Sequence, residues 1–487
     1  MIGIVSYGAY LPRLRLNKKA IAMANAWMDP ALLAHAKGER AMANWDEDSV
    51  TMAVEAARDC LAGQDRGRVG ALYLASTSPP FADRQNAGIV AGALNLSEQI
   101  ATLDLGASQK AATSGLLAAL NAVKAGAVQT VLLAAADKRR TKAACAQEMQ
   151  FGDGAAALLL GSGAVAAEFL GGHSVSVDFV DHYRGQNRAF DYTWEERWIR
   201  DEGYGKIVPP AVIRALEKTG VKPEQVAHFA LPCVYGGVAA GVAKKAGIRP
   251  EAVRDNLAAV CGETGAAHVL VMLAQALQEA VPGQILVAAG FGQGADVLVF
   301  RATDRVAHCV PPLGVKGYLA RRKEETNYMK FLTFNQLVLQ ERGLRAERNP
   351  QTALSVLYRK RGMLLGLVGG CCPKCRTPQF PKAEVCVNPQ CRALGPQEDY
   401  LFADRPARVN SWSADNLTYT VDPPAHYGMV RFDGGGQFMA DFTDYDVGQV
   451  QVGMPVRMVF RIRGKDEERG MTRYFWKAAP IAADKED

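Results

Sequence analysis

The first 305 residues predict an α/β body made of two similar halves, and the rest of the chain predicts smaller modules. Three observations support this: short apolar strands alternate with helical patterns, one strand–turn–strand pattern occurs twice, and the pattern changes after Thr303. At 487 residues the chain is long enough for about three compact units. Its 49% hydrophobic and 22% charged residues exclude a disordered chain.

Strands are predicted where short apolar runs lie between turn residues, and helices where apolar residues recur every three or four positions. The predicted strands are Ala71–Ala75, Thr130–Ala135, Ala156–Leu160, Phe229–Pro232, Ile285–Ala289 and Val297–Phe300. The predicted helices include Ser114–Ala127 and His268–Ala280. Such alternation is typical of a mainly parallel sheet covered by helices.

A strand, a glycine-rich turn and a returning strand occur once in each half. In the first half the strand from Val131 leads to Gly152-Asp153-Gly154, and in the second the strand from Ile285 leads to Gly292-Gln293-Gly294. This repetition predicts a duplicated unit with a pseudo-two-fold axis. We therefore place the two halves at residues 1–165 and 166–305.

The region after residue 305 divides into three predicted parts. Residues 306–365 are predicted to form linker helices, with the basic run Arg321-Arg322-Lys323 solvated. Residues 366–398 carry five of the ten cysteines, and residues 399–487 contain short alternating apolar runs broken by Gly, Asp and Pro. The last part should be a small all-β barrel.

Four cysteines in two pairs predict a structural zinc ribbon. The spacing is Cys372-Pro-Lys-Cys375, ten residues, then Cys386-Val-Asn-Pro-Gln-Cys391. Four thiolates fill a tetrahedral Zn²⁺ and leave no open position for chemistry. Cys371 is not predicted to be a ligand, because the two-residue spacing between Cys372 and Cys375 forms a better zinc knuckle than the three-residue spacing between Cys371 and Cys375.

Charge and hydropathy exclude several partners. The net charge of +6 is too dilute over this length to predict a nucleic-acid partner. No apolar run is long enough to cross a bilayer, and the first residues lack the pattern of a signal peptide. We therefore expect a cytoplasmic protein without a membrane partner.

Four segments of the body carry a family resemblance: Gly3–Pro12, Asp46–Ala57, Asp104–Thr113 and Gly152–Ala157. With them, residues 1–305 resemble the thiolase superfamily, in the branch of 3-hydroxy-3-methylglutaryl-CoA synthase and 3-oxoacyl-acyl-carrier-protein synthase III. Residues from about 325 to 485 resemble the zinc-ribbon plus OB-fold module that accompanies thiolase-like enzymes acting on CoA esters. The resemblance implies a duplicated five-layered (αβαβα) fold, a homodimer or dimer of dimers, and CoA as the carrier, with acyl-carrier protein as the alternative.

The family's catalytic groups are missing where the resemblance places them. The positions of its nucleophilic cysteine, glutamate, histidine and asparagine correspond to Gln109, Thr77, Ala230 (or His228) and Cys261 (or Gly262). Glutamine cannot form an acyl-enzyme, so ping-pong condensation is disfavoured. The resemblance to cysteine-free steroid side-chain aldolases favours aldol or retro-aldol chemistry on a β-hydroxyacyl-CoA. The alternatives are a malonyl-thioester decarboxylase using Gln109, cysteine-independent Claisen or acyl transfer, and a non-catalytic scaffold or partner subunit.

Candidate site residues form a set without assigned roles. The catalytic candidates are Gln109, Tyr192, Tyr204, Tyr235, Glu263 and His268. The tyrosines and His268 also have a purely structural interpretation, as packing residues and as a satisfied helix histidine. The candidates for binding CoA or its thioester are Lys110, Arg184, Arg188, Arg197, Arg200, Gly292 and Gly294. Arginine and lysine suit the CoA phosphates, and the glycine turn suits a thioester enolate.

Overall fold

The computed structural model describes residues 1–341 and 352–481. Part of the predicted linker, residues 342–351, and the last six residues of the predicted barrel, 482–487, lie outside the described residues. The chain divides into two compact units. The first comprises Met1–Asn44, Asp48–Ala91 and Leu96–Leu337, and the second comprises Trp45–Glu47, Gly92–Asn95 and Val338–Asp487. Among the described residues, no helix has the length and apolar character needed to span a membrane.

The strands of the first unit follow in chain order. They are β1 (Ile2–Tyr10), β2 (Leu14–Asn17), β3 (Glu39–Met42), β4 (Ala71–Ala75), β5 (Ala101–Leu105), β6 (Thr130–Asp137), β7 (Gly154–Ser162), β8 (Ala167–Ser176), β9 (His182–Tyr183), β10 (Tyr192–Thr193), β11 (Val226–Ala230), β12 (Ile285–Phe291), β13 (Gly294–Ala302) and β14 (Lys323–Glu325). All six predicted strands are confirmed. Only the prediction for β11 ran too far, because Leu231 and Pro232 already leave the sheet.

The α-helices of this part of the chain alternate with the strands. They are α1 (Lys18–Asn25), α2 (Ser49–Cys60), α3 (Asn86–Ala93), α4 (Ala111–Lys124), α5 (Ala146–Gln150), α6 (Glu196–Trp198), α7 (Gly205–Thr219), α8 (Val238–Lys245), α9 (His268–Glu279), α10 (Gly314–Ala320) and α11 (Tyr328–Phe334). Short 3₁₀ turns occur at Pro30–His35, Arg66–Arg68, Pro223–Gln225, Pro250–Ala252, Gly265–Ala267 and Asp304–His308.

The large sheet confirms the predicted duplication, but the prediction of a mainly parallel sheet is wrong. Three of its eight neighbouring strand pairs are parallel and five are antiparallel, because in each half a strand is followed by an antiparallel returning strand. Its strand order is β11-β12-β13-β8-β1-β7-β6-β4-β5. Outward from the centre, the order β1-β7-β6-β4 in one half matches β8-β13-β12-β11 in the other. A parallel bridge from Phe229 to Val253 occupies the position in the second half that β5 has in the first. The halves meet where β1 and β8 pair antiparallel over two residue pairs, Gly3–Glu168 and Ile4–Ala167.

Helices α4 and α9 form the central layer of the body. Both contact strands of each half, whereas α2 contacts β1, β6 and β7 and α7 contacts β8, β12 and β13. The order is therefore helix, sheet, helix, sheet, helix, as predicted. A helix in the middle layer is enclosed by sheets, so α9 is apolar nearly all round and buries Val269–Leu273. Each such side chain contributes roughly 1.5–3 kcal/mol through burial.

A π-helical turn, Ile199–Tyr204, joins α6 to α7 in one continuous helical segment. Such turns widen the helix and often occur at functional sites. In α7, Pro209 lacks the N–H that would bond the carbonyl of Gly205. The Lys245 ammonium donates to that carbonyl instead, over 2.8 Å, so the helix continues past the proline.

The region predicted as linker helices is partly integrated into the first unit. Its Lys323–Glu325 segment is strand β14, which pairs parallel with β2. The basic run is therefore not a solvated linker: Arg322 pairs with Glu39, and the Arg321 guanidinium lies 4.7 Å from the Tyr318 ring centre. The sequence pattern did not show that a neighbouring strand edge would capture this segment.

The second unit contains two short helices and nine strands among its described residues. They are α12 (Leu354–Arg359), α13 (Arg361–Gly366), β15 (Val368–Cys371), β16 (Pro378–Gln379), β17 (Glu398–Leu401), β18 (Ala407–Val409), β19 (Ser413–Asp415), β20 (Ala425–Phe432), β21 (Gln437–Asp441), β22 (Pro455–Asp466) and β23 (Met471–Pro480). Strands β16-β15-β17 form the ribbon sheet and β19-β20-β18-β22-β23 the barrel sheet, with β21 on β20. A bridge from Phe442 to Ala478 links β21's end to β23. Strand β17 straddles the expected boundary at 398/399, because it pairs with β15 of the ribbon.

Candidate active site

One cavity in the first unit collects residues from both halves of the duplicated body. The lining side chains come from the start of α4, from α5, from the hairpin β9–β10, from the segment after β11 and from the turn before α9. They are Gln109, Arg139, Gln147, Gln150, Phe151, Asp181, His182, Thr193, Ile199, Tyr204, Pro232, Cys233, Val234, Tyr235, Glu263, Gly265, Val269, Gly290 and Phe291. Four of the six catalytic candidates are thus brought together: Gln109, Tyr204, Tyr235 and Glu263.

Gln109 stands where α4 begins, after a sharp turn that follows β5. Ala107 in this turn has a φ of +63°, a conformation that costs energy for a residue with a Cβ. The β12–β13 turn lies against the helix start: the Ser108 hydroxyl donates to the Gly292 carbonyl over 2.9 Å. A Cβ on Gly292 would lie 3.1 Å from the Gln109 backbone nitrogen, so only glycine permits this approach. The positive end of the α4 dipole is therefore directed at the Gln109 region.

A chain of hydrogen bonds connects Gln109 to His182, a histidine that is not among the candidates predicted from the sequence. His182 Nδ1 lies 2.7 Å from Asp181 Oδ2, and His182 Nε2 lies 3.3 Å from Gln109 Nε2. A carboxylate only accepts, so Nδ1 carries the proton and Nε2 is the acceptor when the ring is neutral. The Gln293 side chain donates to Asp181 Oδ1 over 3.3 Å. His182 is therefore oriented as a general base.

The dense run of aromatic and ionisable residues around positions 181–204 was the only sequence signal for His182. Cross-strand pairing of Thr193 with His182 fixes the hairpin that carries it. Without the fold, nothing in the sequence separates His182 from the other charged groups of this run.

Arg139 holds three segments of the cavity wall together. Its guanidinium donates to Asp191 Oδ2 over 2.8 Å and to Glu263 Oε2 over 2.9 Å, and it stacks 3.6 Å from the Phe151 ring centre. Burial disfavours the charged form of Arg139, but Glu263 and Asp191 outweigh it and raise its pKa. Asp191 also pairs with Arg184, over 2.6 Å. Although burial opposes ionisation of Asp191, its two arginines lower its pKa.

The cavity contains a thiol, but the thiol is not a nucleophile at neutral pH. Burial raises the pKa of Cys233 to about 12, so its sulfur is almost entirely protonated. Tyr204 and Tyr235 are also unsuited to act as bases, because burial raises the pKa of Tyr235 to about 12 and that of Tyr204 well above 10. Both phenols therefore keep their protons at neutral pH, and the Tyr204 hydroxyl donates to the Pro232 carbonyl over 3.2 Å.

The other two catalytic candidates lie outside the cavity lining. Tyr192 is 62% exposed and packs on Tyr183 across the hairpin. His268 is 1% exposed; its Nδ1 accepts from the Thr264 N–H over 3.1 Å, and its Nε2 donates to the Asn256 carbonyl over 2.8 Å. Both ring nitrogens of His268 are thus occupied, as in its structural interpretation.

The predicted CoA contacts have protein partners or lie at turns. Lys110 pairs with buried Asp296 over 3.1 Å, and Arg184 pairs with Asp191 and donates to the Thr77 carbonyl. Arg197 is exposed and lies 3.7 Å from Asp201. Arg200 forms a similar pair with Glu196, over 3.6 Å, and Arg188 lies exposed in the hairpin loop. Gly294 begins β13 where a Cβ would collide with the Val175 carbonyl, so it serves the turn rather than the cavity.

The positions inferred for the family's other catalytic groups do not line the cavity. Ala230 is buried inside β11, His228 bonds Gln284, and Thr77 donates to Asp137. Cys261 is fully buried. Nearby residues of the same segments face the cavity instead: Cys233 follows β11, and Glu263 follows the Cys261-Gly262 pair.

The four cysteines of the predicted ribbon converge in the second unit. Their sulfur atoms all lie within 4.8 Å of one another, with Cys375 to Cys386 at 3.5 Å and Cys372 to Cys391 at 3.9 Å. Four thiolates at about 2.3 Å around a tetrahedral ion would be separated by roughly 3.8 Å. The donor set and its spacing therefore fit Zn²⁺. Cys371 stays outside this group, with its sulfur 3.5 Å from the Arg376 carbonyl.

Comparison with known proteins agrees with this architecture. Residues 216–299 match the C-terminal domain of 3-oxoacyl-[acyl-carrier-protein] synthase III, and residues 403–461 match the C-terminal OB-fold domain of ChsH2. The fold is that of the thiolase superfamily, and the relatives of this chain are acyl-CoA condensing enzymes.

Individual relatives define the family more closely. The hydroxymethylglutaryl-CoA synthase of Methanocaldococcus jannaschii is 31% identical over 348 residues, which cover 69% of this chain and 99% of the relative. The chain therefore belongs to the hydroxymethylglutaryl-CoA synthase family. Among solved structures, 3-oxoacyl-(acyl carrier protein) synthase III from Pseudomonas aeruginosa is 25% identical, with a TM-score of 0.56 and coverage of 62% and 98%. MvaS in complex with 3-hydroxy-3-methylglutaryl coenzyme A shares the fold at 20% identity, with a TM-score of 0.58 and coverage of 71% and 94%.

Proposed function

We propose that this protein makes or breaks a carbon–carbon bond in a β-hydroxyacyl-CoA by aldol or retro-aldol chemistry, without an acyl-cysteine intermediate. The observation that carries the proposal is the Asp181–His182–Gln109 chain in a cavity whose thiol, Cys233, is protonated. A thiolate is required for acyl transfer through the enzyme, whereas aldol chemistry requires a base and a stabilised enolate.

In the cleavage direction, His182 Nε2 accepts the proton of the β-hydroxyl group. The bond between the α and β carbons breaks, a carbonyl forms at the β carbon, and the electron pair passes into the thioester as an enolate. The Gln109 amide and the N-terminus of α4 stabilise the enolate oxygen. The proton held by His182 then returns to the α carbon, which gives an acyl-CoA and an aldehyde or ketone.

A second candidate is decarboxylation of a malonyl-type thioester, which forms the same enolate by loss of CO₂. The resemblance counts against it, because Ala230 (or His228) stands where the family has its histidine. The 3.3 Å contact between His182 and Gln109 removes that objection.

Turnover of purified protein on β-hydroxyacyl-CoA and malonyl-CoA panels separates the two reactions. Retro-aldol cleavage releases an aldehyde or ketone, and decarboxylation releases CO₂. His182→Asn should lower the rate by about 10²–10⁴-fold because it removes the base, whereas the control His35→Asn changes an exposed histidine outside the cavity. Full activity of His182→Asn would refute the mechanism. Inactivity on both panels, with an active thiolase co-purifying, would favour a scaffold or partner subunit.

We also propose that the four-cysteine group binds one structural Zn²⁺ per chain, since its sulfur spacing matches a tetrahedral site. The ion would link the two knuckles and take no part in catalysis. Elemental analysis should find about one zinc per chain in the wild type and in Cys371→Ser, and well below one in Cys375→Ser. Equal zinc in both variants would refute the assignment.

CoA is proposed as the carrier because relatives include a structure with 3-hydroxy-3-methylglutaryl coenzyme A. A homodimer is proposed from β5, the edge strand of the large sheet, where Leu103 is 41% exposed. An exposed apolar edge is a pairing surface. Light scattering should give twice the chain mass, and Leu103→Lys should shift it toward the monomer; a monomeric wild type would refute the proposal.

A further inference from the structure

The cavity wall carries a set of polar side chains that have no protein partner. Gln147 and Gln150 lie one helical turn apart on α5, and Thr193 and Tyr235 belong to the hairpin and to the segment after β11. Within residues 1–341 and 352–481, no hydrogen bond joins their side chains to another protein group. The Gln109 Oε1 atom is also buried without a partner.

Such groups constrain what can occupy the cavity. In the free protein, water satisfies amides and hydroxyls that face a cavity. A hydrocarbon chain would displace this water and leave the polar groups unpaired, which lowers affinity. A site built from hydrogen-bonding groups therefore favours a ligand that replaces those bonds and discriminates against an analogue that lacks them.

The charges of the wall argue against an acyl group with a second carboxylate. Among the described lining residues, Arg139 is the one guanidinium, and it is engaged by Asp191 and Glu263. Asp181 and Glu263 add negative charge to the same wall. A buried carboxylate without its own cation is strongly disfavoured.

We propose that the acyl group this cavity accepts is neutral and hydroxylated beyond its β carbon, and is neither a plain alkyl chain nor a dicarboxylic acid. The inference rests on the proposed function for the position of the thioester near Gln109. Its hydroxyl groups would bond the amides of Gln147 and Gln150, which both donate and accept. Retro-aldol cleavage would release a hydroxyaldehyde.

Three CoA thioesters test the inference: 3,5-dihydroxyhexanoyl-CoA, 3-hydroxyhexanoyl-CoA and 3-hydroxy-3-methylglutaryl-CoA. We expect kcat/KM for the dihydroxy compound to exceed the other two about tenfold or more. Gln147→Leu and Gln150→Leu should each reduce this preference. Gln99→Leu, an exposed glutamine outside the cavity, should leave it unchanged.

Calorimetric titration with the same three thioesters separates failure of the inference from failure of the proposed function. Equal or better cleavage of the alkyl or dicarboxylic substrate would overturn the inference and retain the retro-aldol function. Tightest binding of the dihydroxy compound without any cleavage would retain the inference and overturn the function. Binding of none of the three would overturn both.

Discussion

Replacing Arg139 with methionine should destabilise the first unit by about 3–5 kcal/mol at neutral pH. The side chain is 4% exposed and its partners Asp191 and Glu263 are 5% and 14% exposed, so the substitution leaves two carboxylates without their cation away from water. Methionine retains apolar contact with the Phe151 ring, which confines the change largely to the lost charge. Arg184 still pairs with Asp191, which keeps the expected loss within this range.

The expected shift in melting temperature follows from the size of the unit. For roughly 330 residues, an unfolding entropy of about 2.1 cal/mol/K per residue gives a total near 0.7 kcal/mol/K. A loss of 3–5 kcal/mol then lowers Tm by about 4–7 °C. Scanning calorimetry measures this shift.

The loss of stability caused by Arg139→Met should also depend on pH. In the wild type, the lowered pKa of Asp191 contributes stability above the carboxyl's unfolded pKa, and this stability is lost as the pH falls. In Arg139→Met, burial without the Arg139 charge favours the protonated form of the carboxyls. Lowering the pH should therefore reduce the destabilisation of the variant. The Tm difference should therefore shrink as the pH falls toward the acid range.

A neutralised variant provides the matched control. Adding Glu263→Gln and Asp191→Asn to Arg139→Met removes the orphan charges and should recover much of the lost stability. A Tm within 1 °C of the wild type for Arg139→Met, or a Tm deficit that does not shrink as the pH is lowered, would refute the reasoning.

Two further predictions concern the cavity. Iodoacetamide should alkylate Cys233 slowly at neutral pH and faster as the pH rises toward 12, since only the thiolate reacts; mass spectrometry follows the label. Gly292→Ala should lower turnover more than it lowers Tm, because its Cβ would lie 2.8 Å from Ser108 Oγ and 3.1 Å from the Gln109 nitrogen, at the proposed enolate site.

Each of these predictions has an outcome that contradicts it. Rapid labelling of Cys233 at neutral pH would show a reactive thiolate and reopen acyl-enzyme chemistry. An active Gly292→Ala variant would show that the approach of the β12–β13 turn to α4 is not needed for turnover. Gly63→Ala is the matched control for the second experiment, because a Cβ at Gly63 meets no neighbouring atom.

The sequence predicted the regular parts of the body well because periodic burial is a local property. Strand β4 has the predicted bounds, and α9 differs from its prediction by one residue. The duplicated turn patterns also predicted the duplication that the strand order shows. Strand β14 was missed because its charged residues carry no apolar signal; pairing with β2 alone makes Lys323–Glu325 a strand.

For the candidate site, the sequence predicted Gln109 by resemblance and the group of four cysteines by spacing; the structure places Gln109 in the cavity wall and brings the four sulfur atoms together. Both signals lie within short segments: the ribbon's four cysteines occupy positions 372–391. The sequence could not identify His182 or Arg139, since their roles depend on residues more than 70 positions away, such as Gln109 for His182 and Glu263 for Arg139.

The sequence by itself determined the fold class, the duplicated body, the four cysteines of the ribbon and the absence of a cysteine at position 109. These are encoded by periodicity, repetition and short-range spacing. Only the tertiary structure decided which polar groups share a cavity, that His182 contacts Gln109, and that burial keeps Cys233 protonated. The orientation and desolvation of these side chains arise when distant segments pack together, so no local sequence pattern predicts them.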